Sequence, residues 1–329
     1  MKPRPFCSTL VLGGGGARGL AHIGAIEVLA ETGILPDRIV GTSIGAVLGA
    51  AFALQPDTGA LGERIREGLQ RESLQQIERR FEKAFGANHA NGWRGRLQQI
   101  VGSVRRLVLW NRQALRESLV ERTLINDLID WLVGRHTFED LRIPFVAVAF
   151  DLIRNTDVVL GSGDLTAALL ASSAIPGVFE PIDTGDRLLV DGCVREELPT
   201  RTARALGADF VIAVDVGPEL GTARPRSAAE VMRRVLAVRG EHVRNQSHSQ
   251  ADVIIRPAVA DLHWSEFSRA EECFRAGREA ARATMESIRS ARRAARWRSL
   301  PRRLLTSPPA PGLEHIAPLR PAEQPQETG

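Results

Sequence analysis

The 329-residue chain has no tyrosine, only three cysteines and 5% aromatic residues, and its lysines are limited to Lys2 and Lys83. Cys7, Cys193 and Cys273 are an odd, scattered set without a C-x-x-C. That excludes a disulfide framework and a cysteine zinc site, and it fits a reducing compartment. No apolar run approaches the ~18 residues needed to span a bilayer. The opening MKPRPFCSTLVLGGGG lacks the long apolar segment and small-residue cleavage site of a secretory signal, so a cytoplasmic protein is expected. The formal charge of +4 rests almost wholly on arginine, which reads as base composition more than as function. A small positive balance favours anionic surfaces, nucleic acid or phospholipid headgroups, and only motifs can choose between them.

What is present is apolar content, 43% of the chain, enough to bury a substantial core in one large α/β domain or two smaller ones. STLVLGGGGARGLAHIGAIEVLA reads as strand, glycine-rich turn and helix, and DRIVGTSIGAVLGAAFAL repeats that unit directly. Further strands are expected at 143–150, 157–161, 187–192 and 209–216, with helical segments between them. The alternation indicates a mostly parallel sheet covered on both faces. Residues 62–140, rich in Arg, Glu, Gln and Leu, read as a helical insertion. A main domain over 1–290 is expected to be followed by a basic, then Pro-rich tail over 291–329, its last ~25 residues disordered.

Two glycine-rich turns carry the chemistry. Gly41-Thr42-Ser43-Ile44-Gly45 fits the nucleophile elbow, where small flanking residues let a strained strand-to-helix turn expose a serine hydroxyl. The pattern alone is weak; the strand before it and the helix after it strengthen it. GGGGARG at 13–19 leaves bare amides at a helix start, which suits a phosphate cradle, an oxyanion hole or simply close packing. A P-loop is excluded because no Gly-Lys-Ser/Thr exists. Gly14, Gly16 and Gly19 do match the dinucleotide pattern G-x-G-x-x-G, but the second strand ends in a hydroxyl-bearing turn where a ribose-binding acid belongs.

A serine nucleophile needs a base. None of the seven histidines follows a clear strand; His22 reads as a packed or capping residue, and no H-E-x-x-H metal spacing occurs. Asp151, Asp191 and Asp215 each end an apolar strand, and burial of such a carboxylate would make it a better base. Asp191 is favoured because Gly192 permits a sharp turn after it.

GGGGARG, GTSIG and VDG, in this order, resemble the patatin-like phospholipase family, particularly its compact bacterial members. ASSAIPGVFEPI (171–182) and the helix near the C-terminus extend the resemblance over most of 8–285. It implies a three-layer α/β/α sandwich and a lipid acyl hydrolase with Ser43 as nucleophile and Asp191 as base. It also implies an oxyanion hole at Gly14, Gly15 and Gly16 beside Arg18, with no metal and no organic cofactor. Phospholipid or another acyl lipid is the implied partner and nucleic acid is not expected; the oligomeric state is not set. Where the family reads D-G-G followed by asparagine, this chain has Asp191-Gly192-Cys193 and then Arg195-Glu196-Glu197, which puts substrate choice and activity in question. A dinucleotide-binding protein and a catalytically silent lipid-binding regulator are the alternatives. Leu97, Ile100, Val101, Val104, Leu107 and Val108 with Arg96, Arg105, Arg106 and Arg112 offer a membrane contact or a packed face with solvated arginines, and ARRAARWRSLPRRLL at 291–305 offers a dock for anionic lipid or nucleic acid.

Overall fold

The computed structural model describes residues 5–72, 75, 76, 79, 122–222, 224–305 and 313–317. Its strands are β1 (Ser8–Leu12), β2 (Arg38–Thr42), β3 (Phe145–Asp151), β4 (Thr156–Gly163), β5 (Ile182–Asp183), β6 (Leu188–Asp191), β7 (Phe210–Val214), β8 (Val253–Ile255) and β9 (Glu314–Ile316). Its helices, numbered here α1 to α8, are Ala21–Glu31, Ile44–Leu54, Thr58–Leu69, Arg122–Leu132, Leu165–Ser172, Thr200–Ala205, Ala228–His248 and Ala270–Leu305. The sheet runs β5-β6-β3-β2-β1-β7-β8, with β4 on β3 and β9 on β4. The central strands β3, β2, β1, β7 and β8 are parallel; β4 and β6 pair antiparallel to β3.

Alternation along the strands builds two cores, because successive side chains leave opposite faces. Leu10, Leu12, Ile39, Phe145, Ala147 and Ile212 meet α1, α2 and α8 on one face. Val11, Val40, Val146, Val148, Val211 and Ala213 meet Leu198, Ala203 and Leu206 around α6 on the other. This is the three-layer α/β/α arrangement expected.

Both ends of the 62–140 block are helical, in α3 and α4. Trp93, Trp110 and the apolar face over 97–112 lie outside the described residues. Position 290 falls within α8, which continues to Leu305. Glu314–Ile316, expected in a disordered end, pair with β4, because an edge strand offers free backbone groups whatever the composition. Among the described residues no helix is long and apolar enough to cross a membrane.

Candidate active site

Strand register alone brings the predicted residues together. Leu12 lies opposite Gly41 on β2, and Thr42 lies opposite Val148 on β3, whose next residue, Ala149, faces Asp191 on β6. Extending β1 by two residues and β2 by one puts Gly14 and Ser43 level with Asp191 at the C-terminal edge of the parallel strands.

Ser43 has φ 56° and ψ −128°, the left-handed region that costs a non-glycine residue about 1–3 kcal/mol. The turn is fixed by its neighbours: the Ser43 amide donates to Ser172 Oγ at 3.0 Å, and that hydroxyl donates to Val148 O at 2.7 Å. A Cβ on Gly41 would lie 2.6 Å from the Ala46 backbone, and one on Gly45 would lie 2.3 Å from Leu12 O. Both glycines are therefore steric requirements of the elbow.

Asp191 is buried, and Oδ1 accepts from the Cys193 amide at 2.8 Å. Burial pushes its pKa up, opposed by the Ser43 side chain and by the Cys193 amide and thiol. The Ser43 contact acts on the carboxylate yet falls short of a formed hydrogen bond, since Oδ2 has no partner that meets bonding geometry. Of the other two strand-end aspartates, Asp151 also keeps an Oδ2 without a hydrogen-bond partner, with Arg154 Nε 4.0 Å away, whereas Asp215 is held by cations. Asp151 Oδ1 accepts from the amides of Ile153 and Arg154. Asp215 Oδ2 is bound by His248 at 2.7 Å and Arg256 at 3.2 Å, with Arg244 at 3.8 Å. Burial raises the Asp215 pKa, but His248, the Gly217 amide and Arg244 outweigh it and hold the group down to about 2.

His22 is buried with its pKa lowered to about 4 by burial, and Nε2 donates to Gly13 O at 2.8 Å. It is an uncharged anchor of the glycine turn. Arg18, also buried, donates from Nε to Gly15 O at 3.3 Å, so it too braces the turn. Within that turn the Gly14 amide is occupied, donating to Glu197 O at 2.9 Å. Gly15 and Gly16 donate no hydrogen bond among the described residues. A Cβ on Gly14 would come within 2.2 Å of Cys193 Sγ and 3.4 Å of Ser43 Cβ. Gly16 abuts Trp264 O and Gly19 abuts Ile44, so a side chain at either position would clash with protein.

The departures after Asp191 are accommodated. Among the described residues, the non-glycine residues with positive φ are Ser43 and Asn155, so Cys193 bears no such strain. Cys193 is exposed as a residue, but its Sγ faces Gly14, and burial together with the Asp191 charge pushes the thiol pKa well up, leaving it neutral. Glu196 turns away to accept from the Thr202 amide and hydroxyl, and Glu197 meets Arg244. Ser172 and the Glu197 carbonyl are positioning groups that sequence reasoning missed; ASSA marked the segment but not which serine bonds the elbow.

From Ser43 a cavity of about 160 Å³ runs between α2, α3 and α4, lined by residues such as Leu48, Leu69, Ile129, Leu132 and Phe267. Its polar side chains are few: Ser43 itself, and Ser173, whose buried Oγ has no partner. Such a space accepts an apolar chain with its reactive polar end at Ser43.

The family model for patatin-like phospholipase matches residues 10–204. An uncharacterized NTE family protein of Mycobacterium tuberculosis is 35% identical over 231 residues, which are 69% of this chain and 55% of that protein. Patatin-like phospholipase domain-containing protein 7 of Rattus norvegicus is 34% identical over 210 residues, 63% of this chain and 13% of that protein. The chain thus spans about half the length of the first relative and a small part of the second. The crystal structure of VipD from Legionella pneumophila aligns with a TM-score of 0.44 at 15% identity, covering 88% of this chain and 68% of that one.

Proposed function

The chain belongs to the patatin-like phospholipase family, and from that premise we propose that it is a serine hydrolase of lipid acyl esters, with Ser43 as nucleophile and Asp191 as its base. One observation carries the reading: a strained serine and a buried carboxylate with an unpartnered oxygen share one sheet edge at the head of an apolar cavity.

In the proposed reaction the acyl chain lies in the cavity with its ester carbonyl at Ser43. Ser43 Oγ attacks that carbon as Asp191 Oδ2 takes the hydroxyl proton. The carbonyl oxygen becomes an oxyanion facing the Gly15 and Gly16 amides, and donors of this kind are worth about 3–4 kcal/mol each. Collapse breaks the ester bond; the alcohol leaves with the proton held by Asp191, and the acyl group stays on Ser43. Water then attacks the acyl carbon and gives its proton to Asp191, and Ser43 recovers a proton as the fatty acid departs. The upward push on the Asp191 pKa strengthens it as a base for a hydroxyl. Fatty-acid release from a panel of phospholipids, lysophospholipids and simple esters tests the proposal. Release that disappears in Ser43→Ala is expected; release unchanged in that variant refutes it.

A further inference from the structure

Two apolar prominences rise from the sheet edge that holds Ser43, one on each side of it. At the β3–β6 side, Leu152 and Ile153 tip the turn after β3, and Val194 follows Asp191; all three are exposed, Ile153 by 65%. Arg195 ties these two tips together by donating to Asn155 O at 3.4 Å. At the β7 side the last turns of α7 are anchored: Arg244 meets Gly217 and Glu197, Ser247 O accepts from Thr200, and His248 bonds Asp215. From Arg244 back to Ala228 the helix extends about 24 Å. No described side chain over 228–243 is buried, and the irregular segment before the helix touches it where Arg234 donates to Gly221 O. α7 is therefore an arm standing beyond the edge.

The surface chemistry of the arm is ordered. Val231, Val235 and Val238 form one row, and Met232 and Leu236 the adjacent one, an apolar arc of about 160° at 3.6 residues per turn. All five are exposed, Leu236 by 61% and Met232 by 59%. Glu230 and Glu241 project on the opposite side, whereas Arg234 and Arg239 border or interrupt the arc. Arg226, Arg234 and Arg239 pair with no carboxylate among the described residues. Apolar side chains edged by unpaired arginine fit a bilayer interface with anionic headgroups. A second copy is the poorer occupant, because a two-fold contact would set this arginine-edged face against itself.

We propose that the α7 arm, with the Leu152–Ile153 and Val194 tips, docks the protein on anionic phospholipid surfaces and holds the Ser43 edge toward the bilayer. The proposal rests on the hydrolase reading only for the purpose of docking, not for its measurement. It also differs from a lipid contact through the basic end of α8. Arg298 there pairs with Asp252 and Arg296 covers Phe6, residues that precede β8 and β1, so Trp297 sits at the opposite edge of the sheet.

The test is co-sedimentation of the full chain, carrying Ser43→Ala so that no lipid is consumed, with vesicles of phosphatidylcholine alone or with added phosphatidylglycerol. Binding to the anionic vesicles, weakened by salt, is expected. Leu236→Glu with Met232→Glu should lower it about tenfold or more, since a charge replaces buried apolar area, while Trp297→Glu leaves it unchanged. The same arm substitutions with Ser43 intact should retain hydrolysis of a soluble short-chain ester. As a second, charge-neutralising variant, Arg234→Gln with Arg239→Gln should reduce the salt dependence. Equal binding by the arm variants, loss with Trp297→Glu alone, no anionic preference, or a dimer that the arm variants dissociate would each overturn the proposal. Vesicle binding without esterase activity would sink the catalytic reading and leave docking intact.

Discussion

Asp191 ends β6 and Asp215 follows β7 in the same sheet, both are buried, and their environments move them in opposite directions. Around Asp215 stand His248, Arg244 and Arg256, and its pKa falls to about 2. Around Asp191 stand a serine, a thiol and one amide, with no cation among its partners, and its pKa rises. The same residue type at the same strand position is thus a structural anchor in one place and a candidate base in the other. What separates them is the chain that follows. Gly192 lies where a Cβ would come 2.6 Å from Val148 O, which folds Cys193 back onto the carboxylate. Gly217 lies against Arg244 and admits the guanidinium.

The sharpest way to break this contrast is exchange of each carboxylate for its amide. Asp191→Asn should lower kcat for ester hydrolysis by about 10³-fold or more, as loss of a general base in a nucleophile–base pair does. Its thermal unfolding midpoint should be unchanged or higher, because the amide removes a desolvated charge. Asp215→Asn should do the reverse: an unfolding free energy lower by about 3 kcal/mol, since Arg244 is left buried beside a weaker partner, with turnover largely kept in the folded fraction. Denaturant titration and steady-state kinetics on both proteins check the pair; equal kinetic losses would end the distinction.

A smaller effect separates the two in pH. Asp215 binds its proton more weakly folded than unfolded, so its contribution of about 2 kcal/mol is present above the unfolded value near 3.9 and is lost as pH falls toward 2. Asp191, raised when folded, has the opposite sign: it favours the folded state while protonated and costs stability as pH rises through its folded pKa. As a base it works only when ionised, so the acid limb of kcat/KM should lie above the ordinary aspartate value near 3.9, at a pH where the Asp215 ion pairs still hold. Smallest of all, Cys193→Ala removes a thiol that holds the Asp191 carboxylate down, and that limb should move to higher pH with little change in the plateau rate.

Much of this was legible in the chain. The elbow could be read because Gly41 and Gly45 are sterically compulsory and leave a pattern, and Asp191 because a glycine must follow it. Layer order followed from alternation in STLVL and FVAVAF. The assignments within GGGGARG were less accessible: all its amides look alike in sequence, and only the fold shows that Glu197 O occupies Gly14 while Arg18 turns inward to Gly15 O. Ser172 was hidden for a related reason, since its partner, Ser43, lies 129 positions away. The α7 arm went unread because its apolar residues imitate a core helix; exposure, which marks them as a surface, is a tertiary property.

The central claim is that Ser43 is an activated nucleophile, and a fluorophosphonate probe followed by peptide mapping measures that most directly. Adduct on the peptide bearing Ser43, abolished in Ser43→Ala and strongly slowed in Asp191→Asn, is the predicted result. Folded protein that stays unlabelled, or that is labelled elsewhere at a rate indifferent to Asp191, would contradict it.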